Sequence, residues 1–218
     1  LEGEPLDHWA AVERLQPGVV AQIGADVAEV LAPLHDAGIV HRDLKPANLF
    51  VTSDGDVRLL DMGLAQYPGD PPPTFGYVLG TPGFAPPEQQ VGIAATPASD
   101  VWSLGATMYG LLTGRPPVSP YTTVADGPEY LRSLPEASLQ AIASGEARPA
   151  LGDYPQCPVR PTRELAPDVP QWLADVVDRA LACDEGARYQ DARAMREDLE
   201  QAMHAQIART RGTSQNHS

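Results

Sequence analysis

His41-Arg42-Asp43-Leu44-Lys45-Pro46-Ala47-Asn48 is the stretch that decides how the rest of the chain is interpreted. It places a carboxylate, an ammonium group and an amide within six positions, and its proline predicts a loop rather than a continuous helix. A second carboxylate, Asp61, comes thirteen residues after Asn48, directly after the apolar run 57–60. An acid between the end of a strand and a glycine is a suitable ligand for a metal at the mouth of a loop.

These polar side chains form a set with a recognisable chemistry. Transfer of a phosphoryl group from a magnesium nucleotide needs a carboxylate that orients the attacking hydroxyl, a cation near the moving phosphoryl group, and oxygen ligands for the metal. Asp43 and Lys45 fit the first two requirements, and Asn48 with Asp61 fits the third. The sequence therefore predicts phosphoryl transfer.

The same residues resemble two motifs of protein kinases. The stretch 41–48 is similar to the kinase catalytic loop, and Asp61-Met62-Gly63 resembles the metal-binding Asp-Phe-Gly, with methionine in place of phenylalanine. A lysine two positions after the aspartate is the serine/threonine-kinase form, and Lys45 is the only lysine in the chain. The resemblance implies that Asp43, Lys45 and Asn48 are catalytic. It also implies that Asn48 and Asp61 bind Mg²⁺.

Two further positions follow from the resemblance alone. Phe50 would lie under the adenine of ATP, and a plain core aromatic is the alternative. His41 would pack as a structural strut of the loop. Both roles are expectations that depend on the family likeness.

Residues 64–88 resemble a kinase activation segment. Their end, 80–88, follows the family pattern from Gly-Thr-Pro to Pro-Glu, and Thr81 would hydrogen-bond toward Asp43 and Lys45. Thr74 is the hydroxyl best placed for phosphorylation, and Arg42 would be one cationic partner of that phosphate. The family often adds a second cation where this chain has Gln66, so activation by phosphorylation of this segment stays open.

Three more residues are expected to hold the site together. Asp100 would accept hydrogen bonds from the backbone of the catalytic loop; a helix N-cap at Ser99 or Asp100 is the alternative. Glu88 would form a bidentate pair with Arg188, which resembles a conserved kinase contact. An exposed arginine in a turn is the other interpretation of Arg188.

Hydrophobic periodicity predicts the elements around these motifs. We expect a strand end at 1–6 leading into a short helix at 7–14, and a hairpin formed by 49–51 and 57–60 around an Asp-Gly turn. We expect longer helices at 18–37, 99–112, 170–183 and 191–205. A helix at 130–144 is weaker, and residues 118–169 have no functional interpretation beyond a docking surface.

The composition limits the partners of the protein. A net charge of −14 argues against nucleic acid or an anionic membrane as a general partner. No apolar run approaches the length that spans a bilayer, so a cytoplasmic protein is expected, although a membrane anchor beyond Ser218 stays open. Cys157 and Cys183 lack metal-ligand spacing and are expected to be reduced thiols.

Together these observations predict a mainly α fold with a small β-ribbon, corresponding to the large, C-terminal lobe of a protein kinase over 1–206. Residues 207–218 form a polar tail that we expect to be disordered. The small lobe is expected to be absent, because no Gly-rich loop or second lysine occurs, and the chain begins at Leu1 rather than at methionine.

The predicted function is that of a bacterial-type serine/threonine kinase, which transfers the γ-phosphoryl group of MgATP to a protein hydroxyl. It would need a small-lobe segment as partner. A lone lobe acting as a non-catalytic binding or scaffold module is the main alternative. A small-molecule phosphotransferase of related fold is weaker, because such enzymes generally lack the segment that resembles 80–88.

Overall fold

The computed structural model describes residues 2–12, 14–71, 79–90, 93–117 and 159–215. This part of the chain is mostly helical and carries one small sheet. The strands are β1 (Gly3–Pro5), β2 (Leu49–Thr52) and β3 (Val57–Leu59). The helices are α1 (Leu6–Val12), α2 (Pro17–Asp36), α3 (Pro87–Gln90), α4 (Pro97–Thr113), α5 (Thr162–Leu165), α6 (Gln171–Ala180) and α7 (Ala192–Gln215).

The sheet is antiparallel, with strand order β1-β2-β3. The predicted hairpin is present as β2 and β3, with Leu49 opposite Leu59. The predicted two-stranded ribbon is incomplete, however, because β1 pairs along β2 with Gly3 opposite Thr52. A Cβ at Gly3 would lie 2.3 Å from the Val51 carbonyl oxygen, so glycine is needed for this close pairing.

The hydrophobic core lies between α2, α4, α6 and α7. Helix α4 is buried nearly all round, which is why its sequence shows little amphipathicity. Leu104, Met108 and Leu111 of α4 are fully enclosed, and Trp102 is buried with them. Because α4 is central, a residue at its start can reach the loop at 41–48.

The start of α4 differs from the prediction. Thr96 is the N-cap residue, and its hydroxyl and that of Ser99 form a reciprocal capping box. The helix therefore begins at Pro97, where proline loses no hydrogen bond. The alternative that Ser99 or Asp100 caps the helix is wrong, since both lie inside the first turn.

The closing helix is longer than predicted. We expected it to end near Ala205 and residues 207–218 to be disordered, whereas α7 continues to Gln215. Its last turns contain few Gly or Pro residues that would end a helix, so polarity alone was a poor guide. Ile207 is half exposed on this extension.

Helix α2 also corrects a sequence prediction. Among the described residues it is the one helix long and apolar enough to pass a test for a membrane span, contrary to our expectation that no run approaches that length. Half of its apolar window is buried, and the helix packs against α4 and α7. A core helix passes the same test, so this is weak grounds for a membrane segment.

The cysteine prediction is wrong for Cys183, which is disulfide-bonded. Within the described residues there is no free cysteine. Cys157 lies outside these residues, as do Thr74, the expected helix at 130–144 and most of the segment 118–169.

Candidate active site

Asp43, Lys45 and Thr81 form a closed hydrogen-bonded cluster. The Lys45 ammonium donates to Asp43 Oδ2 at 2.8 Å and to the Thr81 hydroxyl at 2.6 Å. The Thr81 hydroxyl in turn donates to Asp43 Oδ1 at 2.7 Å. Asp43 is buried, while the Lys45 side chain keeps 24% of its surface exposed. Both oxygens of the carboxylate are thus fixed, and the cluster remains open to solvent on the lysine side.

Asn48 joins this cluster from the end of the loop. Residues Pro46–Asn48 form a 3₁₀ turn that leads directly into β2. The Asn48 amide nitrogen donates to the Asp43 carbonyl at 2.8 Å and to Asp43 Oδ2 at 3.1 Å. Within the described residues no hydrogen bond uses its Oδ1, which is the atom that a metal ion would bind.

The hairpin brings the backbone of Asp61, which follows the end of β3, close to Asn48, which precedes the start of β2. The Leu60 amide donates to the Asn48 carbonyl at 2.8 Å, so the residue after Leu60 leaves the sheet beside Asn48. Asp61 has a positive φ of 58° and is exposed. Its Oδ1 accepts from the Gly63 amide at 2.9 Å, an Asx-type turn that leaves Oδ2 for another partner.

These residues fit a magnesium site of the kind that phosphates complete. Mg²⁺ is typically held by one or two carboxylates together with phosphate and water oxygens. An exposed carboxylate at Asp61 and an available amide oxygen at Asn48 supply this donor set. Among the described residues no group of three or more His, Cys, Asp or Glu side chains could hold a metal by itself.

Asp100 holds the backbone of the loop. Its carboxylate is fully buried and accepts from the His41 amide at 2.7 Å and the Arg42 amide at 2.8 Å. His35 Nε2 lies 3.0 Å from the same carboxylate, and His35 Nδ1 accepts from the Ala192 amide at 3.1 Å. These contacts offset the cost of burying the charge. They also assign the Nε2–H tautomer to His35, because its Nδ1 is an acceptor.

Arg42 is held in an unusual conformation. Its φ is 68°, its Nε donates to the Leu64 carbonyl at 2.6 Å, and its Nη1 lies 3.5 Å from Gln66 Oε1. Burial lowers the pKa of Arg42, and the charges of Asp70 and Asp100 oppose that shift. The guanidinium therefore already contacts the segment that follows Asp61, through residues other than the expected phosphate acceptor Thr74.

His41 occupies the position expected of a packed strut. The side chain is fully buried, and its Nδ1 accepts from the Asp43 amide at 3.3 Å. Its Nε2 has no hydrogen-bond partner within the described residues. The ring therefore supports the backbone of the loop from inside the molecule.

Glu88 and Arg188 form a buried bidentate pair. Arg188 Nη1 donates to Glu88 Oε1 at 2.9 Å and Nη2 donates to Oε2 at 3.1 Å, with both side chains fully buried. The Ser99 hydroxyl also donates to Glu88, at 2.6 Å. Arg188 further donates to three backbone carbonyls, those of Ala98, Ala182 and Cys183. The exposed alternative for Arg188 is wrong.

Phe50 lies on the sheet rather than in the cluster. It is partly exposed in β2, opposite Pro5 of β1. A Cβ at Gly3 would lie 2.7 Å from Phe50 Cε1, so the ring rests directly on the β1 backbone. This position is compatible with either of the roles expected for Phe50.

Sequence reasoning missed His35, Gln89 and the cap at Thr96. His35 was part of an apolar helix and has no motif of its own. Gln89 follows Glu88 directly and lies one residue beyond the segment 80–88 that carries the resemblance. The available signal for Gln89 was chemical. A glutamine directly after a glutamate that is expected to be buried is itself close to the interior, where its amide needs hydrogen-bond partners.

Comparison with known proteins gives a consistent result. The family model for the protein kinase domain matches residues 2–201. The chain is 35% identical to the serine/threonine-protein kinase PknB of Mycolicibacterium smegmatis, over 85% of this chain and 26% of that protein. It is 32% identical to a probable serine/threonine-protein kinase of Streptomyces coelicolor, over 88% of this chain and 26% of that protein.

A third relative is the serine/threonine-protein kinase Pkn1 of Myxococcus xanthus, 32% identical over 93% of this chain and 27% of that protein. The chain thus spans about a quarter of the length of the curated relatives that it matches. The match over 2–201 includes the loop, the hairpin, the segment ending at Glu88 and the turn that carries Arg188. The chain belongs to the protein kinase domain family.

Proposed function

We propose that residues 1–206 form the large lobe of a protein serine/threonine kinase, which transfers the γ-phosphoryl group of ATP to a serine or threonine hydroxyl of another protein. The observation that carries this proposal is the closed Asp43–Lys45–Thr81 cluster with Asn48 bound to it. It joins a carboxylate, a cation and a hydroxyl that come from two segments of the chain. Lys45 and Thr81 are 36 residues apart in the sequence.

Each side chain then has a distinct task. Asp43 orients the attacking hydroxyl and accepts its proton, and Lys45 offsets negative charge on the transferred group. Asn48 Oδ1 and the Asp61 carboxylate would hold Mg²⁺, which when bound neutralises charge on the phosphate oxygens. Thr81 keeps Asp43 and Lys45 in register, and its place beside them supports serine and threonine as acceptors.

The polar cluster argues against the alternative of a lone scaffold. Burying the Asp43 carboxylate with an ammonium fixed next to it costs desolvation free energy, and apolar residues in the same place are often as stable. A pure binding module has no physical need of this set. The names of the relatives also favour a kinase.

The rest of the kinase fold is part of the proposal. The described residues hold three short strands and no glycine-rich phosphate-binding hairpin. We propose that a small lobe supplied by another segment completes the ATP site, with Phe50 facing the adenine. We also propose a protein substrate and a cytoplasmic location, where ATP is available; the disulfide at Cys183 is unusual for that compartment.

The test is a substitution of the proposed base in the complete protein. Asp43→Asn keeps the size of the side chain but removes the proton acceptor, so we expect kcat to fall by about 10²–10⁴-fold. We would measure kcat as the rate of phosphate transfer from ATP to a generic protein substrate that contains serine and threonine. Asp54→Asn, in the exposed turn of the hairpin, is the matched control and should keep full turnover. Equal turnover of Asp43→Asn and the wild type would refute the proposed role.

A further inference from the structure

The backbone of Arg42 is fixed on both sides by neighbouring elements. Arg42 has a left-handed backbone conformation, with φ of 68°, that non-glycine residues rarely adopt. Such a conformation persists when the surroundings determine it from several directions. On the amide side Asp100 accepts from Arg42 N at 2.8 Å. On the carbonyl side, within the described residues, the partner is Gln89.

Gln89 reaches the catalytic loop from α3. Its Nε2 donates to the Arg42 carbonyl at 2.8 Å and lies 3.4 Å from the Leu79 carbonyl. The residue is only 1% exposed. A Cβ at Gly80 would lie 3.1 Å from both Arg42 O and Gln89 Nε2, so Gly80 leaves room for this bond. The contact therefore joins α3 to the residue that precedes Asp43.

Gln90 provides an internal comparison. It is adjacent in the same short helix, is 8% exposed, and its Nε2 also donates to a backbone carbonyl at 2.8 Å. That carbonyl belongs to Ala85, five residues earlier in the same segment. The two glutamines thus make bonds of equal length, but within the described part of the chain only the Gln89 side chain hydrogen-bonds to the loop that carries Asp43.

We propose that Gln89 is a positioning residue for phosphoryl transfer: by donating to the Arg42 carbonyl it fixes the peptide before Asp43 and so aims the Asp43 carboxylate. The inference rests on the proposed kinase function. Without this donor the partly buried Arg42 carbonyl loses its partner, and rotation of the peptide relieves that cost. Such a rotation turns Asp43 away from Thr81 and Lys45.

The first experiment compares Gln89→Leu with Gln90→Leu in the complete protein. We expect Gln89→Leu to lower kcat at least tenfold, with KM for ATP within about twofold, because the metal ligands stay in place. Gln90→Leu should lower the thermal stability by about as much as Gln89→Leu does, because each variant loses one hydrogen bond. It should leave kcat within threefold of wild type. Equal kcat values for the two variants, whether both low or both normal, would overturn the proposal.

An isosteric variant covers the case in which Gln89→Leu does not fold. In Gln89→Glu the carboxylate cannot donate, whereas its protonated form can. The ratio of the kcat of Gln89→Glu to that of wild type should therefore rise as the pH is lowered. The corresponding ratio for Gln90→Glu should rise less. A Gln89→Glu ratio that does not change with pH would contradict a donor role at this position.

A measurement independent of activity separates this inference from the proposed function. Hydrogen exchange followed by mass spectrometry reports on the backbone amides of peptide 41–45. Faster exchange in Gln89→Leu or Gln89→Glu than in the matching Gln90 variant shows that Gln89 fixes the backbone of the loop, even if the wild type transfers no phosphate. Unchanged exchange in 41–45 would overturn it. An inactive wild type would refute only the kinase proposal.

Discussion

At the scale of single residues, Asp43 is the centre of the site because three donors converge on its side chain. Lys45 and Asn48 reach Oδ2, and Thr81 reaches Oδ1. A carboxylate that accepts from several donors keeps one orientation. Among these donors Thr81 is the one contributed by a distant segment, so it tests whether that segment and the loop work together.

Replacement of Thr81 is the first prediction. Thr81→Val keeps the shape but removes a hydrogen bond between a hydroxyl and two charged groups, which costs about 1.5–3 kcal/mol. We therefore expect kcat/KM to fall by about 10–100-fold. Thr81→Ser restores the hydroxyl and should recover activity to within a few-fold. Steady-state phosphotransfer assays measure kcat/KM, and a Thr81→Val variant with the kcat/KM of the wild type would contradict the prediction.

The grouping of Asp43 with Lys45 and Asn48 could be predicted because it is local in the sequence. Their roles in a reaction stay predictions. Asp43, Lys45 and Asn48 lie within one loop, and Asp61 follows the next hairpin. The cap of α4 was harder to predict, because Thr96, Ser99 and Asp100 all carry side chains suitable for an N-cap. Only the tertiary contacts of Asp100 with the loop at 41–48 decide among them.

At the scale of elements, the fold is joined by contacts between segments that are far apart in sequence. The Glu88–Arg188 pair spans 100 residues and connects α3 to the turn before α7. The contacts of His35 link α2, α4 and the first residue of α7. Pairings of this kind leave no periodic signal, which is also why the pairing of β1 with β2 escaped prediction.

The second prediction concerns the Glu88–Arg188 pair. Arg188→Met leaves Glu88 buried without its cation, so the free energy of unfolding should fall by about 3–5 kcal/mol. The double variant Glu88→Leu with Arg188→Met should lose less than the sum of the single losses. Arg160→Met removes an exposed pair with Glu164 and should cost under about 1 kcal/mol. Urea denaturation measures all four variants, including Glu88→Leu alone, and additive losses would show that the pair is not coupled.

The third prediction concerns Tyr189, which joins α6 to α7. Its hydroxyl donates to Asp198 at 2.5 Å, and the Arg179 guanidinium lies 4.0 Å from the ring centre. Burial, followed by the contact with Asp198, raises the pKa of Tyr189 well above its usual value of 10.0.

The direction of the resulting pH dependence follows from proton binding. Above pH 10 the unfolded chain loses this proton while the folded chain keeps it, so the stability fully present below pH 10 declines as the pH rises. We expect Tyr189→Phe to show a shallower decline. Unfolding free energies measured between pH 8 and about 11 test this. Identical slopes for the variant and the wild type would contradict the prediction.

At the scale of the whole molecule, the described residues form helices packed around the buried helix α4, with the reactive groups beside the start of β2. The mainly α fold, the hairpin and the helices α2, α4 and α6 were predictable from periodicity and glycine and proline positions. The length of α7 was not, because a polar sequence can be helical or disordered. The disulfide at Cys183 was not predictable either, since pairing depends on tertiary distance.

The fourth prediction is that residues 1–218 alone bind MgATP weakly, with a Kd above about 1 mM. Their only lysine is already bonded to Asp43 and Thr81, so within this segment no ammonium remains for the α- and β-phosphates. Isothermal titration calorimetry measures the affinity, and the complete protein serves as the comparison. Tight binding by residues 1–218 would show that the segment needs no further lobe.

The single lysine has a consequence for covalent labelling. Reagents and enzymes that acylate ε-amines have one side chain to modify among these 218 residues, and its Nζ lies between Asp43 and Thr81. With 24% of its surface exposed, this amine is accessible to a small reagent. Acylation removes its charge. One acetyl group on a lysine side chain of this segment would therefore mark the Asp43–Lys45–Thr81 cluster and, under the proposed function, abolish phosphoryl transfer.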